Sequence, residues 1–249
     1  MFHTDKRQTK GSPVKPNAAL VILQARMSST RLPGKVFRPI KGVPMIMHQI
    51  ARIRTMRNLQ DVVVATSVES SDDELADFLT SQGVTVFRGP LNDVAARFLG
   101  AIDAHNPDIV VRLTADCPLI DPTVVDAVID AHVASGADYT SNVIARTFPR
   151  GLDCEVFNPA VLRDLYASGM TDYEKEHVTV GIYTRPDAYR LENYAGAVDH
   201  SDLRWTVDNP EDFEFAAWVY DQFDGDYFTS DDIYALLDAN PDKRLFEPA

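Results

Sequence analysis

The chain has 249 residues, 45% of them hydrophobic and 24% charged, with a formal net charge of −13 at pH 7. This net negative charge argues against a general nucleic-acid binder. No apolar run approaches the roughly 20 residues of a membrane-spanning helix. We therefore expect neither nucleic acid nor a membrane as a partner. Two cysteines, Cys117 and Cys154, are too few for a disulfide framework and lack metal-ligand spacing, which indicates a reducing compartment and predicts a cytoplasmic protein.

The N-terminal residues 1–17 are polar, contain proline and glycine, and lack the apolar core of a signal peptide. This composition predicts a disordered leader. Residues 18–249 are predicted to form a single domain, because no repeat, low-complexity tract or strong proline- and glycine-rich linker divides them. A domain of this length can bury a sizeable core.

Apolar, β-branched runs alternate with amphipathic segments through the first half of the chain. Such runs are typical of buried strands. Strands that alternate with helices form βαβ units, which predicts an α/β fold with a mostly parallel sheet. The four predicted strands are ALVILQA, DVVVATS, VTVFRG and DIVVRLTAD.

Helix signals follow these strands. After the second strand, Ser71 and Glu74 have the spacing of a capping box, and Gly83 is a plausible C-terminal stop. After the third strand, Asn92 is the predicted N-cap of a helix with one apolar face. Asp121, which precedes a proline after the fourth strand, is predicted to cap the next helix.

The regular alternation of predicted strands and helices ends at about residue 137. Shorter strand candidates follow one another closely, which predicts a small antiparallel insertion at about residues 138–200. A further short strand, LRWTV, precedes a helix in which Asn209 is the cap and Pro210 the first helical residue. The strand candidates in the insertion are DCEVF, HVTVGIYT and AYRLENY.

The segment LQARMSSTRLPGK, residues 23–35, gathers positive charge directly after the first predicted strand. In a parallel sheet, ligands bind beyond the carboxyl ends of the strands, so we expect a binding site here. The segment matches neither GxxxxGK[ST] nor GxGxxG, and a solvated basic loop is the alternative. Gly34 allows close backbone approach, and Lys35 is expected to be exposed. The groups suited to phosphate oxygens are Ser28, Ser29, Thr30, Arg26, Arg31 and Lys35.

Eight motifs occur in one order along residues 19–220: LQARMSSTRLPGKVFRPIKGVPMI, VVVATS, VFRG, DVAARF, VVRLTADCPLID, FPRGLDCEVF, EKEHVT and LRWTVDNPEDF. Together they resemble the cytidylyltransferase family that activates acidic sugars, and most of all its spore-coat polysaccharide biosynthesis branch. That family includes the synthetases of CMP-sialic acid and CMP-3-deoxy-octulosonate. The resemblance implies a Rossmann-like nucleotidyltransferase fold, CTP as a substrate, and a homodimer formed through the insertion.

The resemblance also implies which residues hold the nucleotide. Thr66, Arg88 and Asp93 each follow a predicted strand and are candidates for base and ribose recognition. Asp93 could instead favour its helix N-terminus, and Arg88 could be a surface residue. The residues of the opening loop expected to bind the nucleotide are Ala25, Arg26, Ser29, Arg31 and Lys35.

Two aspartates follow predicted strands and are candidates for binding Mg²⁺. Nucleotidyl transfer needs a cation that bridges phosphate oxygens, and Mg²⁺ prefers one or two carboxylates plus substrate oxygens and water. Asp116 ends RLTAD, and Asp208 could be a turn residue, although Asn209 can fill that role. The resemblance places metal ligands at both Asp116 and Asp208. The predicted catalytic residues are Arg26, Lys35 and Asp116.

The insertion is where the family binds its second substrate. An acidic acceptor needs at least one arginine, which FPRGLD supplies. His177 could touch the acceptor or lie at a dimer contact. Cys117, next to Asp116, is expected to be a buried thiol rather than a nucleophile, and His48 and His132 are expected to be packing or surface residues. The predicted acceptor-binding residues are Arg146, Arg150, Asp153, Glu155 and His177.

The function expected from residues and resemblance together is transfer of CMP from CTP to a small acidic acceptor, with release of pyrophosphate. Three alternatives stay open. The acceptor could be a phosphonate or sugar phosphate, the chain could be a glycosyltransferase that releases no pyrophosphate, or it could bind CTP without turnover as a regulatory module.

Overall fold

The structure, a computed structural model, describes residues 18–28 and 31–246. The predicted leader, residues 1–17, lies outside the described residues, as do Ser29, Thr30 and residues 247–249. The strands are β1 (Ala19–Gln24), β2 (Pro39–Ile40), β3 (Val43–Pro44), β4 (Leu59–Ser67), β5 (Thr85–Gly89), β6 (Ile109–Thr114), β7 (Tyr139–Ser141), β8 (Glu155–Phe157) and β9 (Leu191–Asn193).

A seven-stranded sheet has the order β5-β4-β1-β6-β8-β7-β9, and β2 pairs with β3 in a separate small antiparallel ribbon. The pairs β1–β4, β1–β6, β4–β5 and β7–β9 are parallel. Strand β8 is antiparallel to both β6 and β7. The predicted α/β fold with a mostly parallel sheet and a small antiparallel part is therefore confirmed. Since β1 and β6 lie side by side, the segments that follow them emerge at the same edge.

Helices cover both faces of the sheet, because successive residues of a buried strand point to opposite sides. Val21 and Leu23 of β1 pack with the apolar residues of α1, α2 and α4, whereas Leu20 and Ile22 pack with those of α3 and α5. A third apolar cluster surrounds Trp205 and includes α8 and α9. The helices are α1 (Met45–Ile53), α2 (Asp73–Ser81), α3 (Val94–His105), α4 (Pro122–Ser135), α5 (Pro159–Ala167), α6 (Asp172–His177), α7 (Val180–Tyr183), α8 (Pro210–Asp221) and α9 (Ser230–Ala239).

Two of the four helix-start predictions were correct and two were wrong. Asp121 accepts a hydrogen bond from the Thr123 nitrogen at 2.8 Å, and Asn209 precedes α8, which begins at Pro210. The cap of α3 is Asp93 instead of Asn92. No Ser71–Glu74 capping box forms, because residues 70–72 make a 3₁₀ turn and α2 starts only after it.

The segment HVTVGIYT was predicted as a strand, and this prediction was wrong. A capping box at Thr171 and Glu174 starts α6, and α7 begins at Val180, shortly after α6 ends at His177. The apolar side chains Val178 and Ile182 pack under the sheet with α3 and α5, so tertiary burial outweighs the β preference of this run. LRWTV also forms no strand; Leu203 and Arg204 make only isolated bridges to Phe246 and Arg150.

None of the described helices is both long enough and apolar enough to cross a bilayer.

Candidate functional site

A pocket of ≈ 280 Å³, here called the loop pocket, opens at the carboxyl ends of β1 and β6. Gln24 and Thr114, which pair in register at these strand ends, both line it. All three predicted loop cations and both predicted metal-ligating carboxylates also line it, whereas Ser29 lies outside the described residues. The other lining residues are Ala25, Arg26, Ser28, Arg31, Lys35, Val36, Arg97, Ala115, Asp116 and Asp208.

Lys35 connects the two carboxylates of the loop pocket. Its ammonium group donates to Oδ2 of Asp116 at 3.2 Å and to Oδ1 of Asp208 at 3.1 Å. It also donates to the carbonyl oxygen of Val207 at 2.7 Å. Only 12% of the side chain is exposed, so the prediction of an exposed lysine was wrong. Gly34, in the left-handed conformation at φ 66°, turns the chain before Lys35 begins a 3₁₀ turn, and the lysine side chain lies inward.

Backbone contacts hold Asp116 and Asp208 at the same place. The Val207 nitrogen donates to the carbonyl oxygen of Asp116 at 2.7 Å. The preceding segment lies so close to Gly151 that a Cβ there would come within 2.6 Å of the Thr206 nitrogen. Gly151, at φ 112°, is therefore required for the loop FPRGLD to pack against the segment that carries Asp208.

Asp208 lies among three basic side chains. Its Oδ2 accepts from Arg31 at 3.0 Å and from Arg204 at 2.8 Å, while its Oδ1 accepts from Lys35. Burial would raise the pKa of this carboxyl group, but Lys35, Arg204 and Arg31 outweigh burial and hold the pKa below its ordinary value. Asp208 is therefore ionised at neutral pH.

The chemistry of this carboxylate pair fits a divalent cation. Oxygens of Asp116 and Asp208 already share one positively charged atom, Nζ of Lys35, within hydrogen-bond distance. Among the described residues, no group of three or more His, Cys, Asp or Glu side chains could hold a metal ion. A two-carboxylate site completed by substrate oxygens and water is the arrangement that Mg²⁺ prefers.

A second pocket, here called the insertion pocket, shares Thr114 with the loop pocket. Arg146 does not line it. Instead, Arg146 makes a two-point ion pair with Asp153, with nitrogen–oxygen distances of 2.6 and 2.9 Å, and so orients that carboxylate. The four other predicted acceptor residues line the pocket: Arg150, Asp153, Glu155 and His177. The rest of the lining is Arg112, Leu113, Val143, Thr179 and Tyr183.

Glu155 is a buried part of the insertion-pocket wall. It forms an ion pair with Arg112 and accepts hydrogen bonds from the hydroxyl groups of Thr179 and Tyr139, the latter at 2.7 Å. Burial would lower the pKa of Arg112, but the adjacent Glu155 carboxylate reverses this effect and raises it. Arg112 is therefore charged. The other basic side chains of the lining are Arg150 and His177.

A strained turn places His177 at the insertion pocket. Val178 has φ 56° and ψ −64°, and the Thr179 nitrogen donates to the His177 carbonyl oxygen at 2.6 Å. These values describe a γ-turn of the rare kind, which is unfavourable for a β-branched residue. Val178 is completely buried and so anchors the turn, while the His177 ring lies 4.3 Å from that of Tyr173.

Comparison with known proteins identifies the family. The family model described as cytidylyltransferase matches residues 20–227. The chain belongs to the cytidylyltransferase family. It is 35% identical over 235 residues to the spore coat polysaccharide biosynthesis protein SpsF of Bacillus subtilis (strain 168), covering 91% of this chain and 96% of that protein. It is 29% identical over 179 residues to 3-deoxy-manno-octulosonate cytidylyltransferase of Anaeromyxobacter sp. (strain K), covering 66% of this chain and 72% of that protein.

Solved structures agree with this assignment. A cytidylyltransferase from Leptospira borgpetersenii serovar Hardjo-bovis (strain JB197) has a TM-score of 0.87 and 31% identity, covering 94% of this chain and 98% of that chain. CMP:2-keto-3-deoxy-manno-octonic acid synthetase complexed with CTP has a TM-score of 0.63 at 18% identity, covering 82% of this chain and 99% of that chain, and supports the fold alone.

Three residues predicted to contact the nucleotide lie outside the lining of the loop pocket in this cytidylyltransferase. Thr66 is completely buried. Arg88 donates to the carbonyl oxygens of Ser67 and Glu69 and forms an ion pair with Asp73. Asp93 uses both carboxylate oxygens within the protein: one caps α3, and the other accepts from the Tyr166 hydroxyl at 2.9 Å.

Asp72 connects the segment 23–35 to the end of β4, a role that the sequence analysis missed. Its Oδ1 accepts from the Met27 nitrogen at 2.8 Å, and its Oδ2 accepts from both the nitrogen and the hydroxyl of Ser67. Burial would raise the pKa of this carboxyl group, but hydrogen bonds from Met27 and Ser67 hold the pKa below its ordinary value. The signal in the sequence was an acidic residue shortly after a strand end.

Asp72→Asn is expected to destabilise the protein by about 1–3 kcal/mol, because the amide cannot accept every hydrogen bond that the carboxylate accepts. The folded-state pKa lies below the unfolded-state value, so the carboxylate stabilises the fold above the unfolded-state pKa. This contribution is lost as the pH falls through the folded-state pKa. Urea unfolding at neutral and acidic pH measures both effects, and the difference from wild type should shrink in acid. Asp73→Asn, at the exposed neighbour, is the matched control; an equal loss in both variants would contradict this role.

The remaining sulfur and imidazole groups have structural positions. Cys117 is buried, and burial together with the nearby Asp116 carboxylate raises the pKa of its thiol well above the ordinary value, as expected for a residue that is not a nucleophile. His48 is buried between the Asp226 carboxylate and the Ile40 carbonyl group, and His132 is buried between Thr140 and Asn158. Of the two roles predicted for these histidines, packing or surface, both residues have the packing role.

Proposed function

We propose that this cytidylyltransferase transfers CMP from CTP to a small acidic acceptor and releases pyrophosphate, in the biosynthesis of a cell-surface polysaccharide or glycoconjugate. The observation that carries this proposal is the junction of two pockets at Thr114. One pocket has the cations and carboxylate pair suited to a metal-bound triphosphate, and the other is lined by two further basic side chains, Arg150 and His177. The names of the relatives support polysaccharide biosynthesis and an acidic sugar acceptor.

In the proposed reaction, an acceptor oxygen held in the insertion pocket attacks the α-phosphorus. The new oxygen–phosphorus bond forms as the bond to the β-phosphate oxygen breaks, pyrophosphate leaves with that electron pair, and the acceptor hydroxyl group gives up its proton to water. Arg26, Arg31 and Lys35 orient the triphosphate and offset its charge, so the chain contributes mainly positioning and electrostatics. Asp116 and Asp208 would hold Mg²⁺, which supplies additional charge neutralisation for the phosphate oxygens when bound.

The insertion pocket favours an acceptor that carries both an acidic group and hydroxyl groups. Arg150 and His177 can attract a carboxylate, while Asp153, held in place by Arg146, can accept from hydroxyl groups. A phosphonate or a sugar phosphate is also negatively charged, so both are included among the acceptors tested in the pyrophosphate-release assay. A homodimer and a cytoplasmic location are part of the proposal, in keeping with the resemblance and the reducing compartment that the two cysteines indicate.

A pyrophosphate-release assay tests the proposal, with four nucleoside triphosphates against sugar acids, phosphonates and sugar phosphates. We expect release only with CTP and one acidic acceptor class, and a CMP-linked product by mass spectrometry. Consumption of a nucleotide-sugar without pyrophosphate would instead indicate a glycosyltransferase. CTP binding with no turnover across the whole panel would indicate a regulatory module.

Thermal unfolding gives an independent expectation for the choice of base. A ligand that binds only the native state stabilises it by about 2.7 kcal/mol at one hundred times its Kd, which is several degrees in Tm for a chain of this length. CTP should therefore raise Tm more than ATP, GTP or UTP at equal concentration. A larger shift with UTP or GTP would leave the reaction class in place and contradict the assignment of cytosine.

A further inference from the structure

Arg97 is a buried cation with most of its donors unused. It projects from α3, is 1% exposed, and lines the loop pocket. Its Nη2 donates to the carbonyl oxygen of Leu91 at 3.2 Å. Across residues 18–28 and 31–246, neither Nε nor Nη1 has a hydrogen-bond partner. Since an arginine has five N–H donors and leaving them buried and unpaired is costly, this arrangement calls for an external acceptor.

The nearest acidic groups do not supply that acceptor. Asp72 uses its oxygens on Met27 and Ser67, and Asp93 uses its oxygens on Ala96 and Tyr166. Neither carboxylate makes an ion pair with Arg97 within the part of the chain that the structure describes. Burial is the main effect on the pKa of Arg97 and lowers it; the charges of Asp72 and Asp93 act against this, and the charge of Arg26 adds to it. The guanidinium is therefore a desolvated charge that has no direct ion pair among the described residues.

The fold leaves room for this side chain at one specific point. Gly89 ends β5, and a Cβ at that position would lie 2.5 Å from Cγ of Arg97. Any larger residue at position 89 would have to displace the arginine stem. The absence of a side chain at Gly89 therefore permits the path that the arginine takes to the loop pocket.

We propose that Arg97 is a further substrate-positioning residue, whose Nε and Nη1 donate to a phosphate oxygen of the nucleotide in the loop pocket. The inference deepens the proposed function and rests on it for the identity of the ligand. A phosphate oxygen satisfies the unused donors and also gives the buried guanidinium a negatively charged partner. A neutral carbonyl group of a base would satisfy the donors and leave that buried charge without an ion pair.

Inorganic triphosphate is the probe that tests this contact without any turnover. Isothermal titration calorimetry is performed with inorganic triphosphate and with CTP on the full chain, for wild type, Arg97→Met and Arg97→Lys. We expect Arg97→Met to weaken both ligands roughly 10- to 100-fold, as for loss of a charge-assisted contact, and Arg97→Lys to lose less. The difference should shrink at high salt. Arg163→Met is the control. Arg163 is an exposed arginine of α5 that pairs with Asp103, a residue of the helix α3 that also carries Arg97.

The Tm of the ligand-free protein separates a ligand contact from a structural role. Replacing a buried charge that has no direct ion pair among the described residues with an apolar side chain of similar length should leave Tm unchanged or raise it. Unchanged affinity for inorganic triphosphate in Arg97→Met would overturn the proposal, as would weakened CTP binding with normal triphosphate binding. If Arg97→Met does not fold, normal triphosphate affinity in Arg97→Lys together with a lowered Tm would also overturn it. A failed turnover assay would reject the proposed reaction but would leave this binding test valid.

Discussion

Lys35→Ala is expected to lower kcat/KM for CTP by at least ~10²-fold, the scale seen when one preorganised charged group is lost from an active site. Its ammonium lies between the carboxylates of Asp116 and Asp208, and its side chain is far less exposed than that of Arg31, the other loop cation with a contact to this pair. The alanine variant therefore removes a phosphate-binding charge and also leaves two carboxylates to repel each other.

The same substitution is expected to lower Tm moderately without unfolding the protein. Asp208 keeps Arg31 and Arg204 as partners, and the Val207–Asp116 backbone hydrogen bond does not involve the lysine side chain. Steady-state pyrophosphate release and thermal unfolding measure the two effects on the same preparation. Lys41→Ala is the matched control, because Lys41 donates to the carbonyl oxygens of Tyr220 and Phe223, away from the loop pocket. Near-normal turnover in a folded Lys35→Ala protein would rule out the assignment.

The central architecture could be predicted from the sequence because it depends on local patterns. Apolar, β-branched runs define β1, β4, β5 and β6, and their alternation with helices defines a parallel sheet. A parallel sheet brings the segments after β1 and β6 to one edge, so the proximity of Lys35 and Asp116 followed from topology. The position of Asp208 followed from its place after a short extended segment, although that segment forms bridges and no strand.

The rest depended on tertiary contacts that have no local signature. HVTVGIYT has the composition of a strand, yet it is helical because Val178 and Ile182 are buried beneath the sheet. The sequence around Lys35 is typical of an exposed loop, yet the lysine side chain is largely buried because it contacts two carboxylates that are distant in the sequence. Asp72 and Arg97 lie on segments that a periodic pattern identifies only as helix starts or helix faces. Their roles arise from burial next to a loop that is far away in the sequence.

Asp116→Asn and Asp208→Asn are each expected to lower turnover by ~10²-fold or more, while the double variant loses much less than the product. Each substitution keeps the side-chain size and removes one charge, so the fold should survive. Both carboxylates contact Nζ of Lys35, and both would bind the proposed Mg²⁺, so their effects are coupled through shared partners. Multiplicative losses would show that the two residues act independently.

Titration with Mg²⁺ separates the two sources of that coupling. If the carboxylates hold the metal, each single variant should need a higher Mg²⁺ concentration for half-maximal turnover than wild type does. If they act only through Lys35, turnover falls while the Mg²⁺ requirement stays at the wild-type value, which would contradict the metal assignment and keep the lysine network. Asp221→Asn, at an exposed carboxylate that ends α8, controls for the change in net charge. Asp208→Asn should lower Tm more than Asp116→Asn does, because Asp208 forms ion pairs with Lys35, Arg31 and Arg204, whereas Asp116 pairs with Lys35.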